Sequence, residues 1–117
     1  KRQVIVYGDG SFGLNGFEFD TAVRFGLPVI GVIGNDGAWG QMMRPQGAVY
    51  GWDRLSATLL DYTRYDKIVE AMGGHGEFVE RPEELRPALD RAAASGKPAL
   101  VNVVIRQDRE FKGGTYV

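Results

Sequence analysis

Two short glycine-rich turns, each carrying an aspartate, give the clearest chemical signal in the sequence. The first is GDGS at residues 8–11, the second is NDG at residues 35–37, and twenty-four residues separate Gly10 from Asn35. Each turn follows an apolar run, at residues 4–7 and 28–33, that is typical of a buried strand. Carboxylates at two strand ends can bind a divalent cation, and that cation can hold a phosphate that the carboxylates alone would repel.

The elements around the turns predict that they meet. Residues 15–25 are predicted to form a helix, with Asn15 as its N-cap and Glu18 three residues later. A strand, helix and strand in this order normally form a parallel pair, so both turns emerge at one edge of the sheet. Open α/β folds bind ligands at that edge. We therefore expect Asp9 and Asp36 to lie side by side.

The rest of the chain continues the alternation of strands and helices. Residues 37–60 follow neither period, which predicts a long functional loop with at most a short helix over 39–43. Helices are predicted over 62–72 and from Pro82 to Gly96, and strands over 77–79 and 99–105. Four strands and three helices predict an α/β fold with a three-layer parallel sheet. Residues 106–117 form a polar tail, either frayed or a closing arm.

Composition limits the possible classes of function. The chain has 117 residues, enough for one domain, with 44% hydrophobic and 25% charged residues. Its net charge of −1 gives no indication of nucleic-acid or membrane-surface binding. With no cysteine there is no disulfide framework, thiol nucleophile or thiolate metal site, and a reducing compartment is merely permitted. A cytoplasmic location is the expectation. The chain starts at Lys1 and enters a strand at once, so we expect a fragment of a longer chain.

Three kinds of site compete for the first turn. GDGSFG at residues 8–13 matches the dinucleotide fingerprint, and Asp36 lies where its acidic residue is expected, but Asp9 would repel a pyrophosphate. A nucleophile at Ser11 is disfavoured because a G-x-S-x-G elbow around it requires glycine at residue 9, where this chain has Asp9. The one histidine, His75, lies among glycines, where an exposed loop residue is expected.

The third interpretation is a magnesium site. Asp9, a side chain from Asn35 or Asp36 and a nearby backbone carbonyl would bind the ion on one side. Diphosphate oxygens would bind it on the other, resting on backbone amides near Gly10 and Ser11. In this interpretation the acidic residue within the glycine turn becomes a requirement, although aspartate and asparagine are also common turn formers.

The two turns and their spacing resemble the thiamine-diphosphate motif, in which GDG is followed by a gap and then NN. Residues 18–21, 27–28 and 96–100 resemble the corresponding segments of the acetolactate synthase and benzaldehyde lyase group. The similarity covers nearly the whole chain. It implies that residues 1–117 are a C-terminal, diphosphate-binding domain with thiamine diphosphate and Mg²⁺ as cofactors.

The resemblance implies a metal role for three positions. Asp9 matches the metal-binding aspartate, Asp36 matches the second asparagine of NN, and the backbone carbonyl of Ala38 lies two residues further on. Aspartate in place of asparagine adds a negative charge beside the diphosphate. Arg44 is a candidate to compensate that charge, or Asn35 is the ligand after a shift of one residue.

The resemblance also implies cofactor contacts along both turns and the segment after them. These residues are Gly8, Asp9, Gly10, Ser11, Asn35, Asp36, Trp39, Gly40, Gln41 and Met42. Trp39 and Gly40 match the segment that continues over the thiazolium ring, and Gln41 and Met42 would reach toward its reactive carbon.

The function implied is that of a lyase or transferase that makes or breaks carbon–carbon bonds next to the carbonyl of a 2-oxo acid or aldehyde. A 2-oxo acid or acyl-CoA decarboxylase and an aldehyde lyase of the same family are alternatives. In this family the activating glutamate comes from another domain, so no catalytic residue is expected in this chain. A homodimer or homotetramer is expected, and a flavin in another domain remains open. The alternatives from other classes are an NAD-dependent oxidoreductase domain and a non-catalytic binding domain.

Overall fold

The computed structural model describes residues 3–109 and has the α/β architecture predicted from the sequence. In chain order the elements are β1 (Val4–Gly8), α1 (Asp9–Asn15), α2 (Glu18–Arg24), β2 (Ile30–Asn35), α3 (Gly40–Tyr50), α4 (Tyr65–Ala71), β3 (His75–Val79), α5 (Pro82–Ala94) and β4 (Ala99–Val104). The strands are parallel and lie in the order β1-β2-β4-β3. The predicted parallel α/β fold is confirmed, and residues 110–117 of the predicted tail lie outside the described residues.

Helices pack on both faces of the sheet and give it three layers. The buried cluster on the α5 face consists of Ile30, Val79, Ala88, Ala92, Ala99 and Val101. The cluster on the opposite face consists of Phe12, Phe19, Ile33, Val69 and Leu100, with contributions from α1, α2 and α4. Successive residues of β4 enter opposite clusters, as the alternation of side chains along a strand requires. The prediction that β4 is buried on both faces is confirmed for Ala99, Leu100 and Val101.

The strand β1 is more exposed than its apolar sequence predicts. Val4, Ile5 and Val6 are 58%, 39% and 77% exposed, because β1 lies at the edge of the described sheet and pairs there only with β2. An apolar run indicates a strand, but it does not show whether that strand lies at the centre or the edge. The prediction of a buried first strand is therefore wrong for the described residues.

The helix predicted over residues 15–25 corresponds to the second of two helices that lie between β1 and β2. The first, α1, begins at Asp9 directly after β1 and ends at Asn15. The second spans Glu18–Arg24, and its N-cap is Phe17, without a side-chain capping bond. The predicted capping role of Asn15 is therefore wrong. The glycines around Asp9 indicate a turn, which is why the sequence hides a helix that starts immediately after the strand.

The segment 37–60, predicted to be a long loop, contains the eleven-residue helix α3. The short helix allowed over 39–43 is in fact longer, beginning at Gly40 and continuing through Pro45 to Tyr50. Proline and glycine inside this helix disturb the apolar period by which a helix is recognised. This correction matters because α3 forms part of the wall of the site.

The prediction that His75 lies in an exposed loop is wrong, because His75 is the first residue of β3. It is half-buried, and its Nε2 lies 2.8 Å from Oε1 of Glu77. In the parallel sheet His75 is in register with Ala99 at the amino ends of the strands, whereas Asp9 follows the carboxyl end of β1. The histidine is therefore remote from the turns.

No helix within residues 3–109 is long and apolar enough to cross a lipid bilayer.

Candidate functional site

The register of β1 and β2 brings the two aspartate turns together, as predicted. Gly8 pairs with Gly34 at the carboxyl ends of the strands, and Asp9 follows directly. The Asp9 side chain is buried, with 1% exposure of the residue, and its Oδ2 accepts a hydrogen bond from the backbone N–H of Ala38 at 3.1 Å. The first turn is thus bonded to the second across the strand ends.

The carboxyl groups of Asp9 and Asp36 are close enough to influence each other. Burial raises the pKa of Asp9 above its ordinary value, and the negative charge and side-chain hydrogen bond of Asp36 raise it further. Hydrogen bonds from the backbone amides of Gly10 and Ala38 act in the opposite direction. A cation between two such carboxylates would stabilise the ionised form of both.

A cavity of about 460 Å³ opens beside the paired carboxylates. Nine of the ten predicted cofactor-contact residues line it, and so do the three predicted metal positions Asp9, Asp36 and Ala38. Sequence reasoning missed Tyr7 and Ile105, which also line the cavity. Ile105 follows β4, and its place became clear only once the strand order put β4 next to β2.

The predicted contact residue that does not line the cavity is Asn35. Its side chain is fully buried, and Nδ2 donates to the carbonyl of Thr63 at 3.1 Å and to Oδ1 of Asn102 at 3.2 Å. Its Oδ1 accepts the backbone N–H of Gly37 at 3.3 Å. The amide of Asn35 therefore binds protein groups, while Asp36 faces the cavity. This arrangement favours Asp36 over Asn35 as the candidate metal ligand.

Two of the glycines in the turns have a structural explanation, one in close packing and the other in backbone conformation. A Cβ at Gly10 would lie 2.9 Å from Cδ2 of Trp39, so the indole packs directly against the first turn. Gly37 has a φ of +66°, in the left-handed region that favours glycine. The backbone N–H of Trp39 donates to the carbonyl of Thr58 at 2.8 Å. These contacts fix the start of α3 over the cavity.

The donor set suits a metal ion that binds together with a phosphate group. Within the described residues, no group of three or more histidine, cysteine, aspartate or glutamate side chains could hold a metal ion. Mg²⁺ is usually bound through one or two carboxylates, with waters and substrate phosphates completing its octahedron. Asp9 and Asp36 can supply that protein share, and the adjoining cavity leaves room for a phosphorylated ligand.

Residues 1–103 match the family model described as thiamine pyrophosphate enzyme, C-terminal TPP binding domain. The chain belongs to this family. Thiamine pyrophosphate is thiamine diphosphate, so the match confirms the resemblance inferred from the two turns. It also favours thiamine diphosphate over the nicotinamide cofactor that the glycine spacing alone left open.

Relatives of this thiamine-diphosphate-binding domain are much longer proteins. The chain is 53% identical over 104 residues to the acetolactate synthase large subunit IlvG of Mycobacterium tuberculosis, covering 89% of this chain and 19% of the relative. It is 40% identical over 122 residues to 2-hydroxyacyl-CoA lyase 2 of Caenorhabditis elegans, covering 98% and 19%. The chain thus spans about a fifth of the length of these curated relatives.

A solved structure shows the same fold. The thiamine diphosphate-dependent 4-hydroxybenzoylformate decarboxylase of Rhodococcus jostii RHA1 superposes with a TM-score of 0.82 at 23% sequence identity. The match covers 94% of this chain and 21% of that structure. The three-layer parallel sheet is therefore that of thiamine-diphosphate-dependent enzymes.

A buried polar network supports the second turn of the thiamine-diphosphate-binding domain. Asn102, in the central strand β4, donates to the carbonyl of Thr63 at 3.0 Å and to Oδ1 of Asp66 at 3.1 Å. Burial raises the pKa of Asp66, but hydrogen bonds from Arg64 and Asn102 outweigh it, so the pKa is lowered. Because Asn35 bonds to Asn102, the network holds the end of β2, from which Asp36 enters the cavity.

We expect Asn102→Leu to destabilise the domain by about 3 kcal/mol, because it removes one hydrogen bond each from the buried side chains of Asp66 and Asn35 and from the carbonyl of Thr63. Hydrogen–deuterium exchange of β4 in the full-length protein should then be roughly 100-fold faster. The control is Asn15→Leu at the exposed end of α1, for which we expect a change within about 0.5 kcal/mol. Equal exchange rates in the two variants would contradict the role of the network.

Proposed function

We propose that residues 1–117 form the thiamine-diphosphate- and Mg²⁺-binding domain of an acetolactate-synthase-like enzyme. Its reaction would make or break a carbon–carbon bond next to the carbonyl of a 2-oxo acid or aldehyde. The observation that carries this proposal is the carboxylate pair of Asp9 and Asp36 beside a cavity lined by the expected cofactor positions. The names of the relatives support the class of reaction.

The chain's own residues would bind and orient the cofactor. Asp9, Asp36 and the backbone carbonyl of Ala38 would hold Mg²⁺, because carboxylate and carbonyl oxygens are the ligands that it prefers. Gly10 and Ser11 lie in the first turn of α1, where the backbone N–H of Ser11 has no partner within the helix and can donate to a diphosphate. The backbone N–H of Gly10 donates instead to the carboxylate of Asp9. The space beside Gly8 is open, because a Cβ there would meet no atom within 4 Å. A diphosphate could therefore approach the backbone at Gly8 closely.

The chemistry of the bond change belongs to the cofactor. Bound thiamine diphosphate supplies an electron sink for a bond broken or formed next to a carbonyl. Trp39 and Gly40 would lie along the cofactor, and Gln41 and Met42 would face the substrate. We assign no catalytic acid or base to this chain. That group is expected from another domain, in a cytoplasmic homodimer or homotetramer.

An assay of the full-length enzyme tests the reaction class. Pyruvate and other 2-oxo acids would be supplied with thiamine diphosphate and Mg²⁺, and carboligation products would be measured beside carbon dioxide. Carboligation that depends on both cofactors is the expected result. The name of the C. elegans relative supports a second candidate, cleavage of a 2-hydroxyacyl-CoA, which the same assay can include. Turnover of none of these substrates, in an enzyme that binds the cofactor, would contradict the proposed reaction.

We expect Gln41→Ala to change turnover or substrate preference more than cofactor binding. Gln41 is exposed in the cavity wall on the first turn of α3. Loss of one polar contact of about 1 kcal/mol corresponds to a change of about fivefold in kcat/KM. Affinity for thiamine diphosphate should stay within about twofold, equivalent to a few tenths of a kcal/mol.

Gln46→Ala is the matched control for that variant. Gln46 lies on the same helix, but its Oε1 accepts the backbone N–H of Ser56 at 3.0 Å, and it does not line the cavity. Trp52 is likewise expected to serve packing, because a Cβ at Gly47 would lie 2.5 Å from its ring. Unchanged kinetics in Gln41→Ala would show that this segment is only structural.

A further inference from the structure

Among the described residues that line the cavity, one positively charged side chain has no role in the proposed function. Arg44, on α3, is half-buried and lines the cavity together with Asp9 and Asp36. Within residues 3–109 its guanidinium has no carboxylate oxygen within 4.0 Å. A partly buried arginine without an ion pair is free to act on charges in the cavity.

The Arg44 guanidinium and the Asp36 carboxylate both lie close to the start of α3. A Cβ at Gly40 would be 3.2 Å from Nη1 of Arg44 and 3.3 Å from Oδ2 of Asp36. Arg44 follows Gly40 by four residues, so one turn of the helix brings its side chain back over Gly40. The two charges are therefore near each other without being in direct ion-pair contact.

Their signs account for the unusual residue in the second turn. The thiamine-diphosphate motif has a neutral asparagine where this chain has Asp36, and the added carboxylate stands beside Asp9. Arg44 adds one positive charge to the same cavity, so Asp36 and Arg44 together carry the net charge of the neutral amide. At short separation in a partly buried site, such a charge is only weakly screened.

We propose that Arg44 is a positioning cation that offsets the charge of Asp36, so that the cavity accepts a diphosphate with its metal ion despite a second carboxylate. The proposal rests on the proposed function, because it concerns the same cofactor. Arg44 acts through Asp36 and is not assigned to the reacting atoms.

A double-mutant cycle on the full-length enzyme tests this coupling. The measurement is calorimetric affinity for thiamine diphosphate at a fixed, saturating Mg²⁺ concentration. Arg44→Gln should weaken binding about tenfold when Asp36 is present, by leaving two uncompensated carboxylates. In the Asp36→Asn background the same Arg44→Gln substitution should weaken binding less than about threefold, because the added charge that Arg44 offsets is already gone.

Two further variants separate charge from packing. Arg44→Lys keeps the charge and should bind within about threefold of the parent, an outcome that loss of packing alone would not give. Arg86→Gln, on the exposed surface of α5, removes the same charge far from the cavity and should have no effect.

The outcomes distinguish this proposal from the proposed function. Suppose that the parent enzyme binds thiamine diphosphate with Mg²⁺, and that Arg44→Gln weakens binding by the same factor whether residue 36 is Asp or Asn. The coupling is then absent and the proposal is overturned. An Arg44→Gln variant that binds like the parent overturns it too. Failure of the parent itself to bind would instead overturn the proposed function.

Discussion

Asp9→Asn is expected to weaken thiamine diphosphate binding by the full-length enzyme at least tenfold, about 1.4 kcal/mol. The substitution preserves shape and leaves a carbonyl oxygen that can still accept the N–H of Ala38, so the turn should keep its structure. What it removes is one of the two negative charges facing the cavity. The loss should therefore appear as a weaker response to Mg²⁺, because this carboxylate is one of the groups that would hold the ion.

Titrations of thiamine diphosphate at several Mg²⁺ concentrations would measure this effect. The control is Asp90→Asn, which makes the same substitution on the exposed face of α5, where the carboxylate pairs with Arg86. That variant should bind like the parent, since exposed ion pairs contribute little. Unchanged affinity in Asp9→Asn, with unchanged dependence on Mg²⁺, would remove Asp9 from the metal site.

The isolated 117-residue domain is expected to have no turnover, even with excess thiamine diphosphate and Mg²⁺. Its cavity presents the residues proposed for the diphosphate and the metal, whereas the group that activates the cofactor is expected to belong to another domain. Several large apolar side chains of the domain are also exposed, including Val6 at 77%, Phe17 at 79% and Phe25 at 69%. Such surfaces favour self-association when nothing covers them.

The comparison is between the isolated domain and the full-length enzyme, assayed with pyruvate and other 2-oxo acids. Circular dichroism and light scattering of the domain would record its folding and association, so that an unfolded chain is not counted as an inactive one. Carbon dioxide release or carboligation by the folded domain at a rate near that of the full-length enzyme would contradict the division of roles between domains.

The parts of the site that follow from local sequence were predictable. Asp9 and Asp36 each stand directly after an apolar run and a glycine or asparagine, and parallel pairing then requires that they meet. Residues 39–42 were expected at the cofactor from the resemblance to the thiamine-diphosphate motif, and they line the cavity. The fold class followed from the same alternation of strands and helices.

The parts that depend on long-range neighbours were not predictable. Asn35 and Asp36 are adjacent in sequence, yet one is turned into the network of Asn102 and the other faces the cavity. That difference is set by β4, which is distant in sequence. The full length of α3 was not predicted, because Pro45 and its glycines weaken helical propensity.

The dependence of thiamine diphosphate binding on Mg²⁺ tests the central claim most directly. Calorimetry of the full-length enzyme would be run with the cofactor alone, with Mg²⁺ present, and with NAD in place of thiamine diphosphate. The account predicts tight binding of thiamine diphosphate only when Mg²⁺ is present, and no binding of NAD. Binding of NAD without a metal ion, or binding of thiamine diphosphate that is unchanged by removal of Mg²⁺ with a chelator, would contradict it.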